Sequence, residues 1–178
     1  MSVYRKIATI GTKFMGKAQL FKVGFNWSPM YRRSTGRIKY VSEDLYEVRI
    51  KLPLTYRNRN YVNSIFGGSM FSAVDPIPMV QLMNILGDDY VVWDKSAEIF
   101  FKRPAKQHLY ASFMYTVEEL ESIKARVARE KEMELVKVTQ LTNADGSLVF
   151  CEIKKVLYIA SKEYYKEKRA RKAAASGK

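Results

Sequence analysis

The sequence predicts an α+β protein in which an antiparallel sheet of about six strands wraps one long central helix, with helical extensions at both ends. Three observations carry that expectation. The segment from Phe66 to Gly87 is apolar nearly all round, and a helix without a polar face is a buried one. Before it apolar and polar residues alternate from Tyr46 to Leu52, the mark of a half-buried strand, and after it run stretches rich in aromatic and β-branched residues. A hydrophobic fraction of 47% and an aromatic fraction of 13% in 178 residues supply material for one packed core.

Taken in chain order, Ile7, Ile10, Phe14, Ala18 and Phe21 recur at helical spacing, with Lys6, Lys13, Lys17 and Lys22 elsewhere around the axis. Gly11 and Gly16 weaken this helix as an independent element, so it is expected to dock on the domain that follows. Trp27 to Gly36 reads as a loop, from Pro29 and the Ser34-Thr35-Gly36 turn. Arg37 to Val41 reads as a strand, and Ser42-Glu43-Asp44 as its turn. Tyr46, Val48, Ile50 and Leu52 alternate with Glu47, Arg49 and Lys51, which makes the second arm of a hairpin. After the central helix, closed by Gly87, Tyr90 to Lys102 and Leu109 to Val117 are rich in aromatic and β-branched residues and read as strands. Val117 to Glu130 places Leu120, Ile123 and Val127 on one helical face. Met133 to Leu141 and Leu148 to Ile159 complete the sheet, joined by the Asn143-Ala144-Asp145-Gly146 turn. The tail from Lys162 onward is charged, Ala-rich and helical or frayed. The chain divides into a basic extension over 1–30, the sheet-and-helix domain over 31–160 and a basic tail over 161–178.

Several chemistries are excluded. Cys151 is the sole cysteine and His108 the sole histidine, which removes disulfide frameworks, cysteine zinc clusters, multi-histidine metal sites and most Ser-His or Cys-His mechanisms. No metal and no separate cofactor is expected. No apolar run ending at a small-residue cleavage site opens the chain, and Ile65 to Leu86 carries glycines, prolines and Asp75, a poor membrane span. A cytoplasmic location is expected.

The net charge of +13 attracts polyanions, with no Asp or Glu from Met1 to Ser42 and a second basic cluster at Lys166, Lys168, Arg169, Arg171 and Lys172. Nucleic acid, an anionic membrane surface or a phosphate-bearing small molecule all fit, as does a plain solvated surface. No zinc finger, RNA-recognition aromatic motif or helix-turn-helix spacing appears, so nucleic acid is not expected as the main partner. Nothing beyond the charge supports a membrane surface.

The chemically specific stretch runs from Asn60 to Asp75. Gly67 and Gly68 at the mouth of a helix let backbone N–H groups approach a ligand, and those groups have no intrahelical partners. The helix dipole adds partial positive charge there. Such a place can hold a carbonyl oxygen as it gains negative charge. Asp75 is the only ionisable residue between Ile65 and Leu86. A carboxylate in apolar surroundings needs a partner, a raised pKa or a watered pocket, and is a candidate general base or nucleophile. A structural alternative stands beside this one. Asp before Pro76 is pushed away from helical geometry and is a common helix start, so Asp75 can instead cap a second helical segment. The glycines alone can serve a tight strand-to-helix turn.

On these residues the sequence resembles the hotdog-fold thioesterases of the phenylacetate-degradation type. There an Asn, a His-Gly-Gly turn and a helix Asp stand at places matching Asn60, Gly67-Gly68 and Asp75. The wider pattern is similar to a poorly characterised bacterial branch of tetrameric acyl-CoA-thioesterase-like proteins. It includes Asp75-Pro76, Leu86-Gly87, Val92-Trp93-Asp94-Lys95 and the Phe100-Phe101-Lys102-Arg103-Pro104 strand end. The likeness spans Arg37 to Ile159. Two positions depart from it: the His before the glycines is Phe66 here, and the usual Gly three residues earlier is Asn63.

The resemblance implies a hotdog fold and hydrolysis of an acyl-coenzyme A thioester. Gly67 and Gly68 would polarise the carbonyl, and Asp75 from a neighbouring subunit would activate water or attack directly. Asn60 would orient water or the acyl group, unless it only caps a loop. Asn63, Phe66 and Ser69 would line the substrate, and Arg57, Arg59, Lys102 and Arg103 would meet coenzyme A phosphates or remain solvated charges. A homodimer, and by the resemblance a dimer of dimers, is expected. The alternative is a non-catalytic acyl-CoA or acyl-chain binder on the same fold, which Phe66 and the Met-rich helix suit. A hotdog dehydratase needs a histidine near the helix, and His108 is placed elsewhere.

Overall fold

The computed structural model describes residues 16–176. Ile7, Ile10 and Phe14 of the first expected helix lie outside them. Its remainder is helix α1 (Lys17–Trp27), which packs against strand β1 (Arg37–Val41) and buries Phe21. The Phe21 ring stacks on Phe25 at 4.7 Å between centroids, and Phe25 meets Tyr31 edge-on at 5.2 Å. The loop expected from Trp27 to Gly36 instead contains a short helix, α2 (Pro29–Arg33). Proline at its first position is preset for helical φ and gives up an N–H that would go unpaired anyway. Tyr31 on this helix is fully buried, and its hydroxyl donates to the Ala73 carbonyl at 3.1 Å.

Strand β1 pairs with β2 (Glu47–Leu52), where the expected alternation buries Val48, Ile50 and Leu52. The central apolar segment forms α3 (Gly67–Val74) and α4 (Pro76–Leu86), which meet at Asp75. Helix α4 stops at Gly87, whose φ of +80° suits a residue without Cβ. Then follow β3 (Tyr90–Phe101), β4 (Leu109–Met114), α5 (Val117–Glu130), β5 (Glu132–Thr142), β6 (Val149–Ser161) and α6 (Lys162–Ser176). Helix α5 is capped by the Thr116 hydroxyl, which accepts from the Glu119 N–H at 3.2 Å.

The six strands form one antiparallel sheet in the order β1-β2-β4-β5-β6-β3. Two core clusters line the central helix. One joins Met70, Ala73, Val74 and Ile77 to β1, β2, β4 and the start of β6. The other joins Leu82 and Leu86 to α5 and to the inward residues of β3, β5 and β6. Strand β3 lies at an edge, and most of its side chains are exposed on both faces, Trp93 and Phe101 included.

Candidate active site

The loop before the central helix is built around Asn58, which is buried. Its amide Nδ2 donates to the Thr35 hydroxyl at 2.7 Å and to the Pro53 carbonyl at 2.8 Å, while its Oδ1 accepts from the Thr55 N–H at 2.8 Å. Its own carbonyl takes the Phe66 N–H at 2.7 Å, and the Ile65 N–H goes to the Ala105 carbonyl at 2.9 Å. Those two bonds fix the chain direction as it enters α3.

The next two N–H groups, of Gly67 and Gly68, donate to nothing among the described residues. Phe66 in the capping position offers no side-chain oxygen, and its carbonyl takes the following N–H groups of Ser69 and Met70 at 2.9 and 3.2 Å. Both glycines lie against aromatic rings. A Cβ on Gly67 would come within 2.6 Å of Phe101 Cζ, and one on Gly68 within 2.3 Å of Phe66 Cε1. These rings are themselves exposed, so the open N–H pair sits in a partly apolar, accessible setting. Ser69 is buried beneath it, and Ser72 returns its hydroxyl to the Gly68 carbonyl at 2.8 Å.

Asp75 keeps helical geometry, φ −44° and ψ −53°, with its N–H on the Phe71 carbonyl at 2.8 Å. It is neither pushed out of the helix by Pro76 nor used as a side-chain cap. Its carboxylate turns to the sheet. Lys155 Nζ donates to Asp75 Oδ1 at 2.6 Å and to the Asp75 carbonyl at 2.7 Å, and lies 2.7 Å from Asp94 Oδ1. The Lys155 side chain is 2% exposed, against 39% for Asp75 and 32% for Asp94. The fully buried member is therefore the cation, and each carboxylate keeps an edge in water. Burying an ammonium is costly unless its partners are close and well aimed, and three acceptors meet that condition here.

Lys155 escaped the sequence reading, and Asp94 entered it only as part of the Val92-Trp93-Asp94-Lys95 pattern, without a role in the site. The signal was present in β6, where Cys151, Ile153, Leu157 and Ile159 point inward and put Lys155 on the same face. A lysine at an inward strand position requires an inward carboxylate, and Asp75 is the one on the central helix.

The remaining expected residues lie around this frame. Asn60 is committed to its own loop: Oδ1 accepts from the Val62 and Ser64 N–H groups at 3.1 and 3.0 Å, and Nδ2 donates to the Ser64 hydroxyl at 2.9 Å. Asn63 occupies the tip of that loop with φ +62°. Arg57 is exposed and bonds the Tyr56 hydroxyl at 2.9 Å. Arg59 bridges Ile65 through the backbone. Lys102 and Arg103 follow Phe101 at the end of β3, exposed, over the rings of Phe100 and Phe150. None of these four side chains is among the nearest neighbours of Gly67 or Gly68, which are the rings of Phe101 and Phe66. His108 serves structure, accepting the Leu54 N–H at 3.0 Å on Nδ1. Among the described residues no cluster of His, Cys, Asp and Glu could hold a metal ion, and no helix is long and apolar enough to cross a membrane.

A family model described as a domain of unknown function, DUF4442, matches residues 17–159. No curated protein matches the chain. Among solved structures, the chain is similar to a Pseudomonas aeruginosa protein of unknown function described as a probable thioesterase. The TM-score is 0.70 at 20% identity, over 80% of this chain and 95% of that one. A Chlorobaculum tepidum protein of unknown function gives 0.62 at 15% identity, over 90% and 95%. A thioesterase from Haemophilus influenzae gives 0.58 at 11% identity, over 84% and 94%. At these identities the likeness shows a shared fold, the hotdog expected from the sequence.

Proposed function

This chain belongs to the DUF4442 family, and from that premise we propose that it is a thioesterase acting on an acyl-coenzyme A. The observation that carries the reading is a helix that opens on two N–H groups without a partner among the described residues and bears a pinned carboxylate further along. The Haemophilus influenzae neighbour, described as a thioesterase, supports it at the level of chemistry.

In the proposed reaction the thioester carbonyl oxygen lies against the Gly67 and Gly68 N–H groups, which stabilise the negative charge as water adds to the carbon. Asp75 takes the proton from that water. The carbon–sulfur bond then breaks, the carboxylic acid forms, and the sulfur leaves as the thiol with the proton that Asp75 returns. Lys155 and Asp94 hold Asp75 in one rotamer throughout. Arg57, Arg59, Lys102 and Arg103 are the cations available to coenzyme A phosphates at the rim.

Gly68 and Asp75 stand seven residues apart on one helix, a rise of about 10 Å, while a reacting group needs contacts of about 3 Å from both. One protomer therefore does not complete the site, and the proposal includes a second copy paired along the edge of β3 that presents its Asp75 to this glycine turn. The exposed edge supports this, because an unpaired strand is a template for pairing. A dimer of such dimers and a cytoplasmic location complete the proposal.

The Phe66 ring against Gly68 favours one alternative, an acyl-CoA binder without turnover, since the ring partly occupies the approach to that N–H. Thiol release from a panel of acyl-CoAs separates the two. The thioesterase reading expects turnover by the natural sequence and a loss of at least about 100-fold in Asp75→Asn. Tight binding without release, or equal rates in both proteins, contradicts it.

A further inference from the structure

One end of the molecule is built from segments without a carboxylate. The sequence has no Asp or Glu over 48–74 or over 99–117. The first run holds the loop over 53–66, the second holds the link from β3 to β4, and the fold joins the two. The Leu54 N–H donates to His108 Nδ1 at 3.0 Å, and the Ile65 N–H to the Ala105 carbonyl at 2.9 Å. Arg57, Arg59, Lys102, Arg103 and Lys106 are all exposed on these segments, and none forms an ion pair among the described residues. Elsewhere Arg49, Lys95, Arg126, Lys137 and Lys168 each have a carboxylate partner.

The same segments display apolar side chains. Tyr61 is 98% exposed and Tyr56 82%, and Val62, Phe66 and Phe101 are each more than half exposed. The loop that carries them is held by its own bonds. Asn60 Oδ1 accepts from the Val62 and Ser64 N–H groups, the Asn63 N–H donates to the Asn60 carbonyl at 3.0 Å, and the Asn60 N–H to the Ser64 carbonyl at 2.8 Å. Those bonds close a turn with Tyr61 and Val62 at its tip. Burying these two side chains would be favourable, yet the turn points them outward among cations. Coenzyme A phosphates would account for the arginines and lysines, but not for this tip.

We propose that this end of the molecule is a docking surface for an anionic membrane. The five cations face the lipid headgroups, and Tyr61 and Val62 enter the boundary between headgroups and acyl chains. Anionic headgroups complement the charge, and a tyrosine suits that boundary because its ring is apolar while its hydroxyl stays wet. A second copy fits less well. A symmetric contact through this end would set the cations against their own copies, and the strand edge open to pairing is β3, whereas the loop leaves β2 near the opposite edge of the sheet. The proposal does not rest on the thioesterase reading, and its test contains no substrate.

Flotation of the full chain with vesicles provides the test, comparing phosphatidylcholine alone with phosphatidylcholine carrying about a quarter phosphatidylserine. The chain is expected to bind the second at least about tenfold more tightly, and less so as salt is added. Arg57→Gln with Arg59→Gln is expected to weaken binding at least about tenfold, and Tyr61→Ser with Val62→Ser at least about fivefold. All four side chains are exposed, so thermal melts of both variants should match the natural sequence. Helix α6 follows the end of β6 that pairs with the start of β3, away from Phe101. Lys166→Gln with Arg169→Gln removes the same charge there and should change binding by less than about twofold. Equal losses in the two charge variants, no preference for the anionic vesicles, or a tip variant that binds like the natural sequence would each overturn the proposal. A tip variant that binds normally but loses a second copy in sedimentation would overturn it in favour of a subunit contact.

Discussion

Lys155 shows how little the identity of one residue says about its work until its strand register is known. The chain has 31 lysines and arginines, and most are solvated. Lys155 alone has both carboxylates of the site within 2.7 Å while itself excluded from water. Removing the cation and removing the anions should therefore have unequal costs. Lys155→Met leaves two carboxylates that can rehydrate, and urea unfolding is expected to show a change below about 2 kcal/mol. The double replacement Asp75→Ala with Asp94→Ala strands a buried ammonium and is expected to cost about 3–5 kcal/mol. Equal losses in the two proteins would contradict the asymmetry. At this scale the sequence exposed Asp75, which stands alone in an apolar run, and the glycine pair. It hid Lys155 and Asn58, because each matters through partners that are distant in sequence, Asp75 at 80 residues and Thr35 at 23.

The elements were more legible than their junctions. Alternation identified β2 because one of its faces is buried, and the turn over 143–146 marked the hairpin that ends in β6, whereas β3 alternates poorly because it lies at an edge with both faces wet. The short helix α2 was missed since five residues carry too little periodicity, and its stability comes from Tyr31 in the core. Asp75-Pro76 suggested a break, yet the Asp75 N–H bond to Phe71 and the Lys155 bond to its carbonyl hold the helical course across it.

Two glycines at element starts separate packing from chemistry. On Gly36 a Cβ would meet Tyr31 Oη at 2.9 Å and Ala73 Cβ at 3.1 Å, all buried, so Gly36→Ala is expected to destabilise by about 1–3 kcal/mol. On Gly67 it would meet the far end of an exposed ring that can swing away, so Gly67→Ala should change stability by less than about 1 kcal/mol while reducing thioester hydrolysis. Thermal melts and rates together check both.

Helix α6 is held by Glu132, which accepts from Lys168, Tyr158 and Tyr164. Hydrogen bonds from Lys168 and then Tyr158 keep the Glu132 carboxyl below its ordinary value of 4.5. The undocked state thus takes up the proton more readily, so docking is at full strength above about pH 4.5 and weakens as pH falls through the lower, docked-state value. Hydrogen exchange is expected to show α6 amides losing protection in that acid range before the sheet does, and Glu132→Gln should reproduce the loss at neutral pH. Unchanged α6 protection in both experiments would contradict this.

Across the whole molecule, two core clusters lie along α3 and α4; that a sheet wraps an apolar helix was readable from the sequence pattern and turn signals, while the strand order was not. What pattern could not give is the relation between copies, because β3 shows its unpaired edge only once the strand order is known. The central claim rests on that relation: a glycine turn from one protomer meets the pinned carboxylate of another. The most direct measurement is a crystal structure with a non-cleavable thioether analogue of an acyl-CoA. Two copies joined along β3 are expected, with the analogue's carbonyl oxygen about 3 Å from the Gly67 or Gly68 nitrogen. Asp75 of the partner subunit should lie within one water of the carbonyl carbon. An analogue bound away from the glycine turn, or a turn that no second copy's Asp75 approaches, would contradict it.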